Sequence, residues 1–171
     1  MDNIADANSG VDFYAGITPI QYTNLNNPGG TLSSSTIATF QGIVSANDEY
    51  NGVWVSDASG AYNGVYIYSS SFDALVAVGD EILFTATLTT YSNLTELINP
   101  SLIETVLTGQ TPYGPSVVNG SDIEETIVAD NDPAETWEGQ LIKIINAEIT
   151  VDKDATDYFY TATDDAGTTA F

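Results

Sequence analysis

Apolar and polar residues alternate with a period of two through the middle of the chain, which predicts β-strands. In Glu81–Thr90, the apolar residues at every second position from Ile82 to Leu88 share one face, and the other face carries mainly threonine. Period-two alternation is the pattern of a strand that buries one face and leaves the other in contact with solvent. We therefore expect the face that carries Ile82 to belong to a core.

Four further strands are predicted around this one. Ile37–Ala46 comes first, Gly52–Ser56 and Gly64–Tyr68 form a hairpin around an Asp/Ser/Gly turn, and Leu94–Ile98 is a short fifth strand. A single helical turn is expected within residues 71–80, between the third and fourth strands. Five strands with a small helix in that place have the order of an OB-fold barrel.

The C-terminal part of the chain repeats the character of the first barrel strands. Residues 137–151 resemble the first strand, and Gly139 takes the place of Gly42, a glycine that we expect to mark a bend or bulge. Residues 158–171 then follow the pattern of the hairpin, including its Asp/Gly turn. The sequence has no counterpart of the fourth and fifth strands after this point, so the open sheet edge would need another part of the chain or a partner to cover it, unless the sequence is truncated.

These patterns predict an all-β chain in three parts. Residues 1–30 form an N-terminal extension with one short strand at Gly16–Tyr22, and residues 31–112 form a five-stranded OB-fold-like barrel. Residues 113–171 form a partial second OB-like β unit.

The charge composition limits the partners that the chain can bind. It has 24 acidic residues, two lysines, no histidine and a formal net charge of −22. Nucleic-acid binding draws on Lys and Arg that neutralise phosphates, so we do not expect nucleic acid as a partner. Divalent cations are the natural ionic partners of such a surface. The sequence has no signal-peptide pattern and no run of about 18 apolar residues, so we expect no membrane insertion.

The residue types needed for common catalytic chemistry are missing. The chain has neither cysteine nor histidine, which excludes thiolate chemistry and a histidine general base. Glu124, Glu125, Glu135 and Glu138 lie near one another, but their spacing singles out no acid/base pair. We therefore expect that the chain is not an enzyme. Lys143 lies on an apolar strand, where we expect its ammonium to reach solvent rather than to pair with a buried carboxylate.

Three aromatic residues of the hairpin, Trp54, Tyr66 and Tyr68, fall on the face opposite its valines. OB-folds bind oligonucleotides or oligosaccharides on this face, and aromatic rings there stack on the ligand. A neutral glycan would suit the negative charge better than a nucleic acid, because stacking needs no cations. The alternative interpretation, which we favour, is that the rings cover the outside of the barrel against the second unit or a neighbouring domain.

Clusters of acidic residues suggest calcium as a cofactor. Calcium takes about six to eight oxygen ligands, which Asp-rich loops can supply. The segment 152–157 lacks the central glycine and the distal glutamate of an EF-hand loop, so solvated turns are the simpler interpretation. The candidate ligands are Asp130, Asp132, Asp152, Asp154 and Asp157.

Several segments together resemble a known family. Residues 19–25, 40–47, 52–68, 78–97 and 137–150 are similar to the OB-fold module found beside catalytic domains in secreted bacterial nucleases and in large surface proteins of the Bacteroidetes type. In that family the hydrolytic residues lie in a separate domain. The resemblance therefore implies a non-catalytic accessory module of an exported parent protein, an extracellular or cell-surface location, and neighbouring domains as partners.

Two alternatives remain beside this accessory role. The first is a ligand-binding module, either for a glycan or for nucleic acid that it delivers to an attached nuclease domain. The second is a self-assembling surface subunit, in which a strand donated by another copy completes the second unit with main-chain hydrogen bonds.

Overall fold

The secondary structure is almost entirely β in the computed structural model, which describes residues 4–5, 12–13, 16–48, 51–123, 133–153, 158–163 and 168–170. One α-helical turn, α1, spans Ser70–Asp73, and 3₁₀ turns span Ile20–Thr23, Gly120–Asp122 and Pro133–Trp137. The strands are β1 (Ile4–Ala5), β2 (Asp12–Phe13), β3 (Ile37–Asn47), β4 (Gly52–Ser56), β5 (Gly64–Tyr68), β6 (Glu81–Tyr91), β7 (Leu94–Leu107), β8 (Ser116–Val118), β9 (Ile142–Ile144), β10 (Glu148–Lys153), β11 (Tyr158–Thr163) and β12 (Thr168–Ala170).

Five strands close into a barrel in the order β3-β4-β5-β7-β6, and β6 pairs back onto β3. Neighbouring strands are antiparallel except β5 and β7, which run parallel. The helical turn α1 lies between β5 and β6 in the chain. The predicted five-stranded barrel of an all-β chain is therefore confirmed, with its helical turn between the third and fourth strands.

Strand β3 closes the barrel because its two halves pair with different neighbours. Its N-terminal half pairs with β6 and its C-terminal half with β4. At Gly42, near this change of partner, a Cβ atom would come within 2.7 Å of Val55 Cγ1 and 2.9 Å of the Ser56 carbonyl oxygen. The close approach of the two backbones therefore requires glycine. The bulge itself lies further along the strand than the sequence indicated, between Val44 and Ala46.

The core lies inside the barrel and is closed at one side by α1. Phe84 sits between Phe40 and Phe72, with ring centroids 5.7 Å from each. Phe72 comes from α1 and is buried. The period-two prediction for β6 is confirmed, since its buried residues are Ile82, Phe84, Ala86 and Leu88.

The N-terminal segment is part of this core, and its predicted strand at Gly16–Tyr22 is wrong. Ile17 forms only a single bridge to β3, and Ile20–Thr23 is a 3₁₀ turn. The Thr23 hydroxyl donates to the Ile20 carbonyl at 2.8 Å, which holds the chain in a turn. The residues of this segment that join the core cluster are Ile20, Tyr22 and Leu32.

Strand β7 continues well beyond the predicted Leu94–Ile98 and reaches Leu107. Proline is unfavourable inside a central strand because it cannot donate a backbone hydrogen bond, yet Pro100 lies within β7. Asn99 and Pro100 lie at a register shift and have no partners on β6. The pairing of β7 with β6 resumes at Ser101.

Further strands follow the barrel. Strands β8 and β9 pair in parallel, and β10, β11 and β12 form an antiparallel meander. The strand order of the meander matches that of β3, β4 and β5. The segment whose sequence resembles β3 is, however, divided into β9 and β10 at Asn146, which has a φ of 58°.

Lys143 on β9 is exposed, as expected. No helix in the described part of the chain has the length and apolarity that a membrane crossing requires.

Candidate functional site

The three aromatic residues of the hairpin form a row on the outer face of the barrel, which we call the aromatic row (Trp54, Tyr66 and Tyr68). Trp54 on β4 and Tyr66 on β5 are direct cross-strand neighbours, and their ring centroids are 4.7 Å apart. The centroids of Tyr66 and Tyr68 are 6.4 Å apart. The valines between them point into the core, because Val53 and Val65 belong to the core cluster.

Tyr66 is fixed at the centre of the row by packing and by a hydrogen bond. It lies over Gly52, where an added Cβ would come within 2.8 Å of the tyrosine oxygen. The Tyr66 hydroxyl donates to Asp48 Oδ2. Asp48 Oδ1 accepts the backbone N–H groups of Asn51 at 2.7 Å and Gly52 at 3.0 Å. Asp48 therefore ties the β3–β4 loop to the central ring of the row.

Two acidic residues, Asp48 and Glu96, lie beside the central ring of the row, in a chain whose formal net charge is −22. Burial, together with the hydrogen bond to Asp48, raises the pKa of the Tyr66 phenol, so it remains a donor at neutral pH. Glu96 on β7 is the strand neighbour of Tyr66, and burial raises the pKa of its carboxyl. An acidic chain of this kind repels phosphate groups and is compatible with neutral ligands.

The rings of the row differ in how much of their surface a ligand could reach. Tyr66 is only 7% exposed and Trp54 is half-buried, whereas Tyr68 is 51% exposed. A stacking contact could therefore use Tyr68 and the outer part of Trp54, but not the face of Tyr66.

The second feature is a segment that packs against one end of the barrel, residues 133–141, which we call the docking segment. It begins with the 3₁₀ turn Pro133–Trp137 and contacts the N-terminal segment, the turn between β4 and β5, and the start of β7. Hydrogen bonds run from Asn24 Nδ2 to the Glu135 carbonyl (2.8 Å), from the Tyr62 N–H to the Thr136 carbonyl (3.0 Å) and from the Thr95 N–H to Glu138 Oε1 (2.8 Å).

Two glycines bring the backbones of the docking segment and the hairpin into direct contact. A Cβ at Gly64 would lie 2.2 Å from the Gly139 carbonyl oxygen and 2.6 Å from Gln140 Nε2. A Cβ at Gly139 would lie 2.8 Å from the backbone of Gly64. Each side of this contact therefore requires glycine. The sequence indicated Gly139 only as the counterpart of Gly42, and no local signal predicts its contact with Gly64.

A shallow surface groove lies where the docking segment meets the N-terminal segment and the start of β7. Glu138 lines it, and one of its carboxylate oxygens accepts the Thr95 N–H. Glu138 therefore has a structural hydrogen-bonding role in this groove. The lining residues are Asn24, Leu25, Asn26, Asn93, Thr95, Glu135 and Glu138.

The predicted calcium ligands fall largely outside the described residues. Asp130, Asp132, Asp154 and Asp157 lie there, and Asp152 is on β10, but its side chain is not described. Among the residues whose side chains are described, no group of three or more metal-ligating His, Cys, Asp or Glu residues comes together. The calcium site remains a prediction.

Comparison with protein-family models, curated proteins and solved structures finds no match to this chain.

Proposed function

We propose that this chain is a non-catalytic, OB-fold-like structural module of an exported bacterial cell-surface or secreted protein, in which the barrel supports neighbouring domains. The observation that carries this proposal is the docking segment, which is hydrogen-bonded to the N-terminal segment, to the turn between β4 and β5, and to the start of β7. The backbones of Gly64 and Gly139 are in direct contact, and each position requires glycine. This contact fixes the position of the docking segment against the hairpin.

The aromatic row supports the same proposal. Its central ring is buried, lies over a glycine and is hydrogen-bonded to Asp48, which is the environment of a packing residue. Tyrosine and tryptophan serve this role because they combine a large apolar surface with one polar atom. The location outside the cell rests on the family resemblance of the sequence.

Two substitutions in the row distinguish support from ligand binding. If the row is structural, Trp54→Ala lowers the free energy of unfolding by about 1–3 kcal/mol, less than for a fully buried tryptophan. Tyr68→Ala then leaves stability nearly unchanged, because Tyr68 is half exposed. Both variants and the wild type are applied to a glycan array. A glycan that the wild type binds and the stable Tyr68→Ala variant does not bind would contradict the structural proposal.

The second candidate is a ligand-binding module, and the exposure of Tyr68 beside Trp54 favours it. The charge of this face suits a neutral glycan. Titration with single-stranded DNA at low salt, with Mg²⁺ present, tests the nucleic-acid version. Mg²⁺ can bridge carboxylates and phosphates, so absence of binding in its presence would remove the nucleic-acid version.

A further inference from the structure

Asp57 occupies the place where three parts of the chain meet. It directly follows β4, in the turn that leads to β5. Its Oδ2 accepts the N–H of Ile20 at 2.7 Å, 37 residues away, and so caps the 3₁₀ turn Ile20–Thr23. That turn leads into Asn24, which donates to the Glu135 carbonyl of the docking segment. Asp57 thus links the hairpin turn to the N-terminal turn, and through it to the docking segment.

This contact contains two buried polar atoms without partners among the described residues. One is Asp57 Oδ1 and the other is Gln140 Nε2 of the docking segment. Gln140 Nε2 lies 2.6 Å from the position of a Cβ at Gly64, and Gly64 is the strand partner of Ser56, the residue before Asp57. An ionised carboxylate oxygen that is buried without a hydrogen bond destabilises the folded state, and its neutral form does so much less.

We propose that Asp57 is a proton-sensitive switch at this contact, and that binding of one proton to its carboxylate strengthens the association of the N-terminal turn and the docking segment with the barrel. The neutral carboxyl keeps its Oδ2 as an acceptor for the Ile20 N–H. It no longer places a negative charge in a buried position, so the three segments can remain in contact at lower cost.

The direction of the pH effect follows from the environment of the carboxyl. Burial raises the pKa of Asp57, and the hydrogen bonds from the Ile20 N–H and from its own N–H only partly oppose this shift. When the pKa of a group is higher in the folded state than in the unfolded state, protonation of that group stabilises the fold. This stabilisation is fully present below the unfolded pKa and is lost as the pH rises through the folded pKa. The other ionisable side chains on the three segments are Tyr22, Tyr62, Glu135 and Glu138.

The test is amide hydrogen exchange of the full chain at about pH 8 and about pH 4, close to the unfolded pKa of aspartate, corrected for intrinsic exchange. The reporter is the Tyr62 amide, which donates to a backbone carbonyl of the docking segment, and amides of β6 serve as reference. In the wild type, we expect the protection of Tyr62 relative to β6 to rise several-fold at the lower pH. In Asp57→Asn, which mimics the neutral form, we expect high protection at both pH values.

Glu104→Gln is the matched control, because it removes one negative charge from an exposed position on β7 and should retain the wild-type response. The same pH response in Asp57→Asn as in the wild type would overturn the proposal. A ¹³C titration of the Asp57 carboxyl in the wild type gives a second test that needs no variant. A midpoint above the usual range for aspartate supports the switch, and a midpoint within or below that range overturns it.

Discussion

The contact between Gly64 and Gly139 leads to a prediction with a defined magnitude. Replacing Gly64 by alanine would place a Cβ 2.2 Å from the Gly139 carbonyl oxygen and 2.6 Å from Gln140 Nε2. Both distances are shorter than a folded structure can hold, so the docking segment has to move away from the hairpin. Overpacking of this kind costs about 1–3 kcal/mol.

Alanine also has a favourable effect on stability that must be separated from this cost. It restricts the unfolded chain and stabilises the folded state by about 0.4–1 kcal/mol where the native conformation tolerates it. Gly114→Ala is the matched control, because a Cβ at Gly114 has nothing within 4 Å. The difference in unfolding free energy between the two variants therefore isolates the steric cost.

Urea denaturation gives this difference, and hydrogen exchange locates it. We expect Gly64→Ala to be about 1–3 kcal/mol less stable than Gly114→Ala. If the docking segment opens locally, the protection of the Tyr62 amide falls by about fivefold to 150-fold while that of β6 amides is retained. Equal stability of the two variants, together with unchanged protection of the Tyr62 amide, would show that Gly64 and Gly139 are not in tight contact.

Three further predictions concern the barrel and its charge. Tyr66→Phe removes the hydrogen bond to Asp48 and should cost about 1–3 kcal/mol, so an unchanged urea midpoint would contradict this role. Phe84→Ala should cost about 3–5 kcal/mol because the side chain is fully buried, whereas Tyr91→Ala, at an exposed position, should change stability by less than about 0.5 kcal/mol. The melting temperature should rise as NaCl increases from about 0.01 M to about 1 M, because salt screens the self-repulsion of a chain with a net charge of −22. A melting temperature that falls over this range would contradict this expectation.

The barrel could be predicted from the sequence because its signals are local. Alternation along β6 identified the buried face, and the bounds of β4 and β5 followed from the turn residues that flank them. The extension of β7 to Leu107 was not predicted. Proline is rare inside a central strand, and Pro100 is tolerated within β7 because a register shift leaves it without a partner on β6.

The contacts of the docking segment could not be predicted because their partners lie far apart in the chain. Asp57 reads as an ordinary turn residue, and only the folded structure shows that it caps a 3₁₀ turn 37 residues away. Gly64 likewise reads as the start of a hairpin strand, and its need for glycine comes from Gly139. The aromatic row was predicted correctly as a shared face, but the burial of Tyr66 depends on Asp48 and Gly52, which local alternation does not reveal.

Denaturant unfolding of two single-tryptophan variants tests the central claim, that the barrel and the docking segment form one structural unit. Trp137→Phe leaves Trp54 as the reporter of the barrel, and Trp54→Phe leaves Trp137 as the reporter of the docking segment. Coincident transitions from different probes are the mark of one cooperative unit. We predict that each fluorescence transition coincides with the loss of β circular dichroism in the same variant. A Trp137 transition at clearly lower denaturant, while the barrel remains folded, would contradict the account.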